Sequence, residues 1–163
     1  MILPGHLASA WLAARAVGAD LVGAMAASMA PDLVDKPLRW ILRLTPNDRI
    51  PAHTLLAWVL TTAVVARLFG RGRASGWAVG YGAHLVGDGV NAHLNPGRLY
   101  LGWPFVRYRM HVGPTGLGSS LADFAAASLI FEGLVTGVAL VAMWRAWRHG
   151  ASLRRARERE TQQ

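Results

Sequence analysis

The sequence predicts an all-α fold, a polytopic membrane bundle with an N-terminal helical hairpin and about three transmembrane helices. Three observations predict it. Of 163 residues, 53% are hydrophobic and only 16% are charged, whereas roughly a quarter of an average soluble domain is charged. The basic residues cluster between apolar runs, at Arg67, Arg71 and Arg73 and again at Arg145, Arg148, Arg154, Arg155, Arg157 and Arg159, as the positive-inside rule requires. Seven tryptophans in so short a chain suit a membrane–water interface. The net charge of +8 would otherwise invite nucleic acid. Short clusters do not make a groove-sized basic face, so nucleic-acid binding is not expected.

The first element is the alanine-rich run Leu7–Ala30, long enough to cross a bilayer but interrupted by Arg15, Gly18 and Asp20. Charges at a hairpin turn can reach water, so two short helices joined near Gly18 are expected. One straight span would hold His6 and Asp32 roughly 35 Å apart, whereas a hairpin returns them to one end. No basic segment precedes the run, which argues against a cleavable signal peptide. Residues 31–51 read as a polar loop, because Pro31, Pro37, Pro46 and Pro51 oppose a long helix. Trp40 and Ile41 would rest part of that loop on the interface.

Residues 54–66 carry no charge. They predict a transmembrane helix that begins near His53 and ends at a cytoplasmic arginine loop, 67–73. The next helix, about 75–91, holds Gly76, Gly80, Gly82, Gly87 and Gly89. Glycines four residues apart let another backbone approach closely in lipid, so this helix is expected at the centre of the bundle. A loop rich in Gly and Pro, about 93–119, leads to the last span, Phe124–Trp144, whose only charge is Glu132. Gly133 and Gly137 on that span offer a contact for an oligomer. Residues 1–150 make one domain, and the basic tail 151–163 is expected to be disordered and cytoplasmic.

The chemistry starts from the absence of cysteine. Any metal must be held by histidine and carboxylate, which points to zinc or a similar divalent ion. The segment His84-Leu-Val-Gly-Asp88 puts an imidazole and a carboxylate on one helix face, where they can share a cation or simply bond to each other. A carboxylate within an apolar helix is costly and favours the first reading. Asp32 follows a helix end, His53 opens the second long helix, and His6 lies near the N-terminus; each alone is equally an interfacial or capping residue. Asp35 reads best as a turn or cap residue. With the hairpin in place, His6, Asp32, His53, His84 and Asp88 all fall at one end of the bundle. Five such groups exceed the needs of one four-coordinate ion, so one or two ions are expected.

The ordered set of His6, Pro31-Asp32 with Asp35, Arg49 to His53-Thr54, His84 to Asp88 and Trp103-Pro104-Phe105 resembles a bacterial membrane-bound, metal-dependent hydrolase family, some of whose members are described as LexA-regulated inner-membrane proteins. The match covers the first two thirds of the chain. More distantly, the order is similar to zinc-dependent phospholipase C and the fungal single-strand nucleases. That resemblance implies one ion on Asp32, His53, His84 and Asp88, and a second shared by His6 and Asp88. It departs at Asp48-Arg49, where the family has His-Arg, and at Asn91, where it tends to have threonine. His93 stands close to, but not at, the place of a further ligand in the soluble enzymes, which argues against a third ion. Asp35, His93, His111 and Asp123 remain candidates for supporting the ligands from outside.

The expected activity is hydrolysis of a phosphoester or lipid-linked ester at the bacterial inner membrane, with Asp88 and Arg49 as catalytic residues and membrane lipids as surroundings and partners. Two other readings fit the same residues. One is a non-catalytic protein with a closed structural or sensory metal site. The other is a haem-binding membrane cytochrome, which would leave Asp32 and Asp88 without a role.

Overall fold

A computed structural model describes residues 3–94, 99–110, 112 and 126–160. Four helices and no strand occur among the described residues. Helix α1 (Leu3–Val17) and helix α2 (Leu21–Trp40) form the expected hairpin. Gly18 makes the turn possible, with φ +69°, a left-handed conformation that side chains with a Cβ rarely adopt. Asp20 then caps α2 by accepting the Gly23 N–H at 2.6 Å.

Helix α2 differs from the expectation. It continues through Pro31 and Pro37 to Trp40, so the polar loop is confined to about 41–54. A proline removes one backbone donor, but neighbouring groups can take over the acceptors it frees, and a helix covered by other helices survives it. Pro31 is buried. In the turn before it, the Ser28 carbonyl accepts from His84 Nδ1 at 2.7 Å. Asp32 therefore stands inside a helix, one turn before Asp35 and Lys36.

Thr54 starts helix α3 (Leu55–Leu94) by accepting the Ala57 N–H on its hydroxyl at 3.2 Å. The arginine segment is a sharp break and not a loop: only Gly70, at φ 82° and ψ 170°, leaves the helical region. The two arms, 55–69 and 71–94, fold back on each other. The Trp58 indole donates to the Ala78 carbonyl at 3.0 Å, and Trp77 donates to the Thr61 hydroxyl at 3.0 Å.

The second arm occupies the centre, as its glycines predict. A Cβ on Gly76 would lie 2.2 Å from the Asp20 carbonyl oxygen, and one on Gly80 would lie 2.0 Å from that of Ala24. Backbone therefore meets backbone along α2. Ala27, Tyr81 and Leu85 form the small apolar core there, with Trp58 and Trp77 packed on it.

Helix α4 (Ala126–Glu160) packs on α1 and more lightly on α3. It runs past the expected end of the span, so the basic segment from 151, expected to be disordered, is helical to Glu160. Among the described residues, two helices are long and apolar enough to cross a membrane, Leu55–His93 and Ser128–Ala151. The expected three spans thus become two such helices, the first of them folded in half. Leu134, Val138 and Val141 on α4 and Val59 and Val64 on α3 are exposed, an arrangement suited to lipid and costly in water.

Candidate metal centre

Four segments deliver the polar side chains. His6 comes from α1, Asp32 and Asp35 from α2, His53 from the end of the 41–54 loop, and His84 with Asp88 from the second arm of α3. All are buried except Asp32, which is half-buried. His53 Nε2 lies 3.0 Å from His84 Nε2, 3.4 Å from Asp32 Oδ1 and 3.4 Å from Asp88 Oδ2. His84 Nε2 is 3.7 Å from Asp88 Oδ2. His6 Nε2 is 3.5 Å from Asp88 Oδ1 and 4.0 Å from Asp32 Oδ2, and its ring stacks on His84 with centroids 3.8 Å apart. The structure thus brings together all five groups expected to be ligands. Two overlapping trios, His6–Asp32–His84 and His53–His84–Asp88, each have ligand atoms within 4.8 Å of one another.

The outer nitrogens decide what the inner ones can do. His84 Nδ1 faces the Ser28 carbonyl, which can only accept, so Nδ1 carries the hydrogen and Nε2 presents a lone pair. His53 Nδ1 is 2.7 Å from Asp35 Oδ2 and donates to it by the same reasoning. Two imidazole nitrogens therefore face each other across 3.0 Å among carboxylate oxygens, a place that suits a cation. Without metal that cation is a proton. Burial would lower the His53 pKa, but hydrogen bonds to Asp32 and Asp35 and the Asp88 charge outweigh it and raise the pKa to about 9. His6 behaves oppositely: burial, then the neighbouring His84, lower it to about 3 and keep it neutral. Burial would raise the Asp32 carboxyl, yet the His53 hydrogen bond and the Lys36 ammonium hold it well below the usual carboxylate range. Neutral imidazoles and ionised carboxylates are the donor set of a zinc-type ion.

Of the supporting candidates, Asp35 takes its place with three contacts. Fully buried, it accepts the Ala52 and His53 backbone N–H groups at 2.8 and 3.0 Å besides the His53 ring. It is no turn residue; it fixes the loop that presents His53. His93 is exposed and not in the cluster; five residues beyond Asp88, it points to another face of α3. His111 and Asp123 lie outside the described residues. Arg49 donates to Asp88 Oδ2 at 2.6 Å. Lys36, which had not been singled out, donates to Asp32 Oδ2 at 2.6 Å. Its signal was the four-residue spacing Asp32–Lys36, legible only if the proline-bearing segment is read as helix. A haem finds no room between His53 and His84 or between His6 and His84 at these separations.

No curated protein and no solved structure matches the chain. A family model described as YdjM inner membrane protein matches residues 1–153, and the chain belongs to that family of membrane proteins.

Proposed function

We propose that the chain is a membrane-embedded, metal-dependent hydrolase of a phosphoester or lipid-linked ester, with a divalent ion of the zinc type held by His6, Asp32, His53, His84 and Asp88. The observation that carries this reading is the facing pair of His53 and His84 nitrogens, 3.0 Å apart, with Asp32 and Asp88 oxygens beside them. Five ligands match one four-coordinate ion, or two that share Asp88. Bound there, such ions would supply a water acidified to near neutrality and positive charge for the ester oxygens.

The remaining work falls to the chain itself. Asp35 orients His53 and keeps its ring basic. Arg49 neutralises Asp88 and is partly exposed, so its planar fork is placed to take two oxygens of a phosphate. The apolar helices around the cluster exclude bulk water and strengthen each of these interactions.

The test is elemental analysis and turnover of detergent-purified protein on a panel of phosphoesters. The wild type should carry about one or two equivalents of zinc, and Asp88→Ala should lose both metal and turnover. Arg49→Gln should keep the metal and lose turnover. Metal retained in Asp88→Ala would sink the scheme, and full occupancy without turnover on any ester would replace catalysis with a structural or sensory site.

A further inference from the structure

Two cations rest on the carboxylates of the metal centre. Lys36 Nζ lies 2.6 Å from Asp32 Oδ2, and Arg49 Nη1 lies 2.6 Å from Asp88 Oδ2. Those carboxylates meet at one point, since each has an oxygen 3.4 Å from His53 Nε2. Lys36 and Arg49 therefore reach the same centre, one from α2 and the other from the 41–54 loop. Lys36 is held along one face of α2, where Asp32, Lys36 and Trp40 stand four residues apart and its ammonium lies 5.8 Å from the centre of the Trp40 ring.

The two cations also mark the way in. Ser28 and Asp35, which hold the rings of His84 and His53, are fully buried. The side chains of Lys36 and Arg49 are 31% and 23% exposed, and Asp32, the most open of the candidate ligands, is 14% exposed. A divalent ion on Asp32 and Asp88 would have both positive side chains close beside it, and repulsion among partly buried charges at that range is strong. An anion that touches the ammonium and the guanidinium at the centre turns this repulsion into attraction. The ammonium has three donors and the guanidinium five, so both keep donors for that anion.

The class of anion follows from the count of its oxygens. The planar guanidinium fork takes two phosphate oxygens, and the ammonium, a point charge, takes another. A phosphodiester has two free oxygens, which the fork alone would use; a phosphomonoester has three. We propose that Lys36 and Arg49 together bind a terminal phosphate, so that the substrate is a phosphomonoester and Lys36 is the residue that selects it over a diester. That a reaction follows rests on the hydrolase reading; the phosphate site itself rests only on the metal centre. A lipid headgroup such as that of phosphatidic acid and a soluble monoester share this chemistry.

The test uses the full chain purified in detergent and loaded with zinc, titrated calorimetrically with methyl phosphate and with dimethyl phosphate. Methyl phosphate should bind more tightly by about tenfold or more, the worth of one charge-assisted hydrogen bond. Lys36→Gln should erase that preference while leaving zinc content and dimethyl phosphate binding as they were, and Lys36→Arg should restore it. The comparison of the two esters on the wild type needs no variant, so it decides even if Lys36→Gln does not fold. Equal binding of the two esters to the wild type would overturn the proposal, as would a preference that survives Lys36→Gln. Loss of zinc together with both esters in Lys36→Gln would also overturn it, since Lys36 would then only hold Asp32 in place. Displacement of methyl phosphate by phosphatidic acid in nanodiscs would uphold the site with a lipid headgroup as its source; displacement by glycerol phosphate alone would uphold it with a soluble one. Monoester preference without turnover of any ester would leave the phosphate site standing and remove the hydrolase. Turnover of diesters with no monoester preference would do the reverse.

Discussion

The Asp35 carboxylate receives two backbone N–H groups and the His53 ring within 3.0 Å, so one buried side chain sets both the position and the basicity of a candidate ligand. Asp35→Asn keeps the size and an acceptor but removes the charge. Zinc affinity should fall about 10–100-fold, the usual weight of such an outer partner, and NMR should show the His53 pKa dropping from about 9. Unchanged affinity would mean that the loop alone positions His53. The same groups fix how the metal-free protein responds to pH. The His53 pKa is raised on folding, from 6.5 to about 9, so its stabilisation is complete below 6.5 and lost as pH rises toward 9. The His6 pKa is depressed, from 6.5 to about 3, so its neutral form stabilises above 6.5 and that contribution is lost as pH falls toward 3. Each swing is on the order of 3–5 kcal/mol. Thermal unfolding in detergent with a chelator should therefore be latest near neutral pH and earlier on both sides. Zinc should remove the alkaline fall, because binding requires the neutral His53 ring and displaces its proton. A flat profile without metal would show that these histidines are not held as described.

At the scale of elements, the fit of α2 against α3 depends on two glycines, and α4 has glycines that touch nothing. Gly80→Ala drives a methyl group to 2.0 Å from the Ala24 carbonyl oxygen. Neither backbone can yield without parting the helices that carry Asp32 and His84. The cost should be about 1–3 kcal/mol or more, as for other overpacked contacts, read as a lower melting temperature together with weakened zinc binding. Gly133→Ala and Gly137→Ala, with no atom within 4 Å of the added Cβ, should leave both unchanged in the isolated chain. A harmless Gly80→Ala would mean that the helices are not in backbone contact. This part of the fold was legible, since four-residue glycine spacing states its own reason, and so was the hairpin, since Arg15, Gly18 and Asp20 cannot share mid-membrane. Helix α2 beyond Ala30 was not legible. Pro31 and Pro37 argue for a loop on local grounds, and only the helices packed around them reverse that. The Lys36–Asp32 pair was hidden with it. The Asp35 contact was hidden for another reason, because it depends on a loop conformation that no spacing in the chain specifies.

The whole molecule has two ends of different chemistry. The turns at Gly18 and Gly70 share one end, tied by Arg73 to Asp20 at 2.9 Å. Arg15, Arg67, Arg71 and Arg73 gather near it. The candidate ligands lie at the other end: His6 and Asp32 are each 11 residues from their ends of the hairpin turn, about 16 Å along their helices. His53 precedes the arm that leads to Gly70, and His84 lies well beyond the break. In a member of an inner-membrane family, the arginine end should face the cytoplasm and the metal centre the opposite side. The chain has no cysteine, so single introduced cysteines report sidedness without background. Leu44→Cys, in the exposed loop beside the centre, should react with a membrane-impermeant maleimide in spheroplasts. Arg71→Cys, exposed at the arginine end, should react only after the membrane is opened. The reverse pattern would place the centre on the cytoplasmic side while leaving its geometry intact.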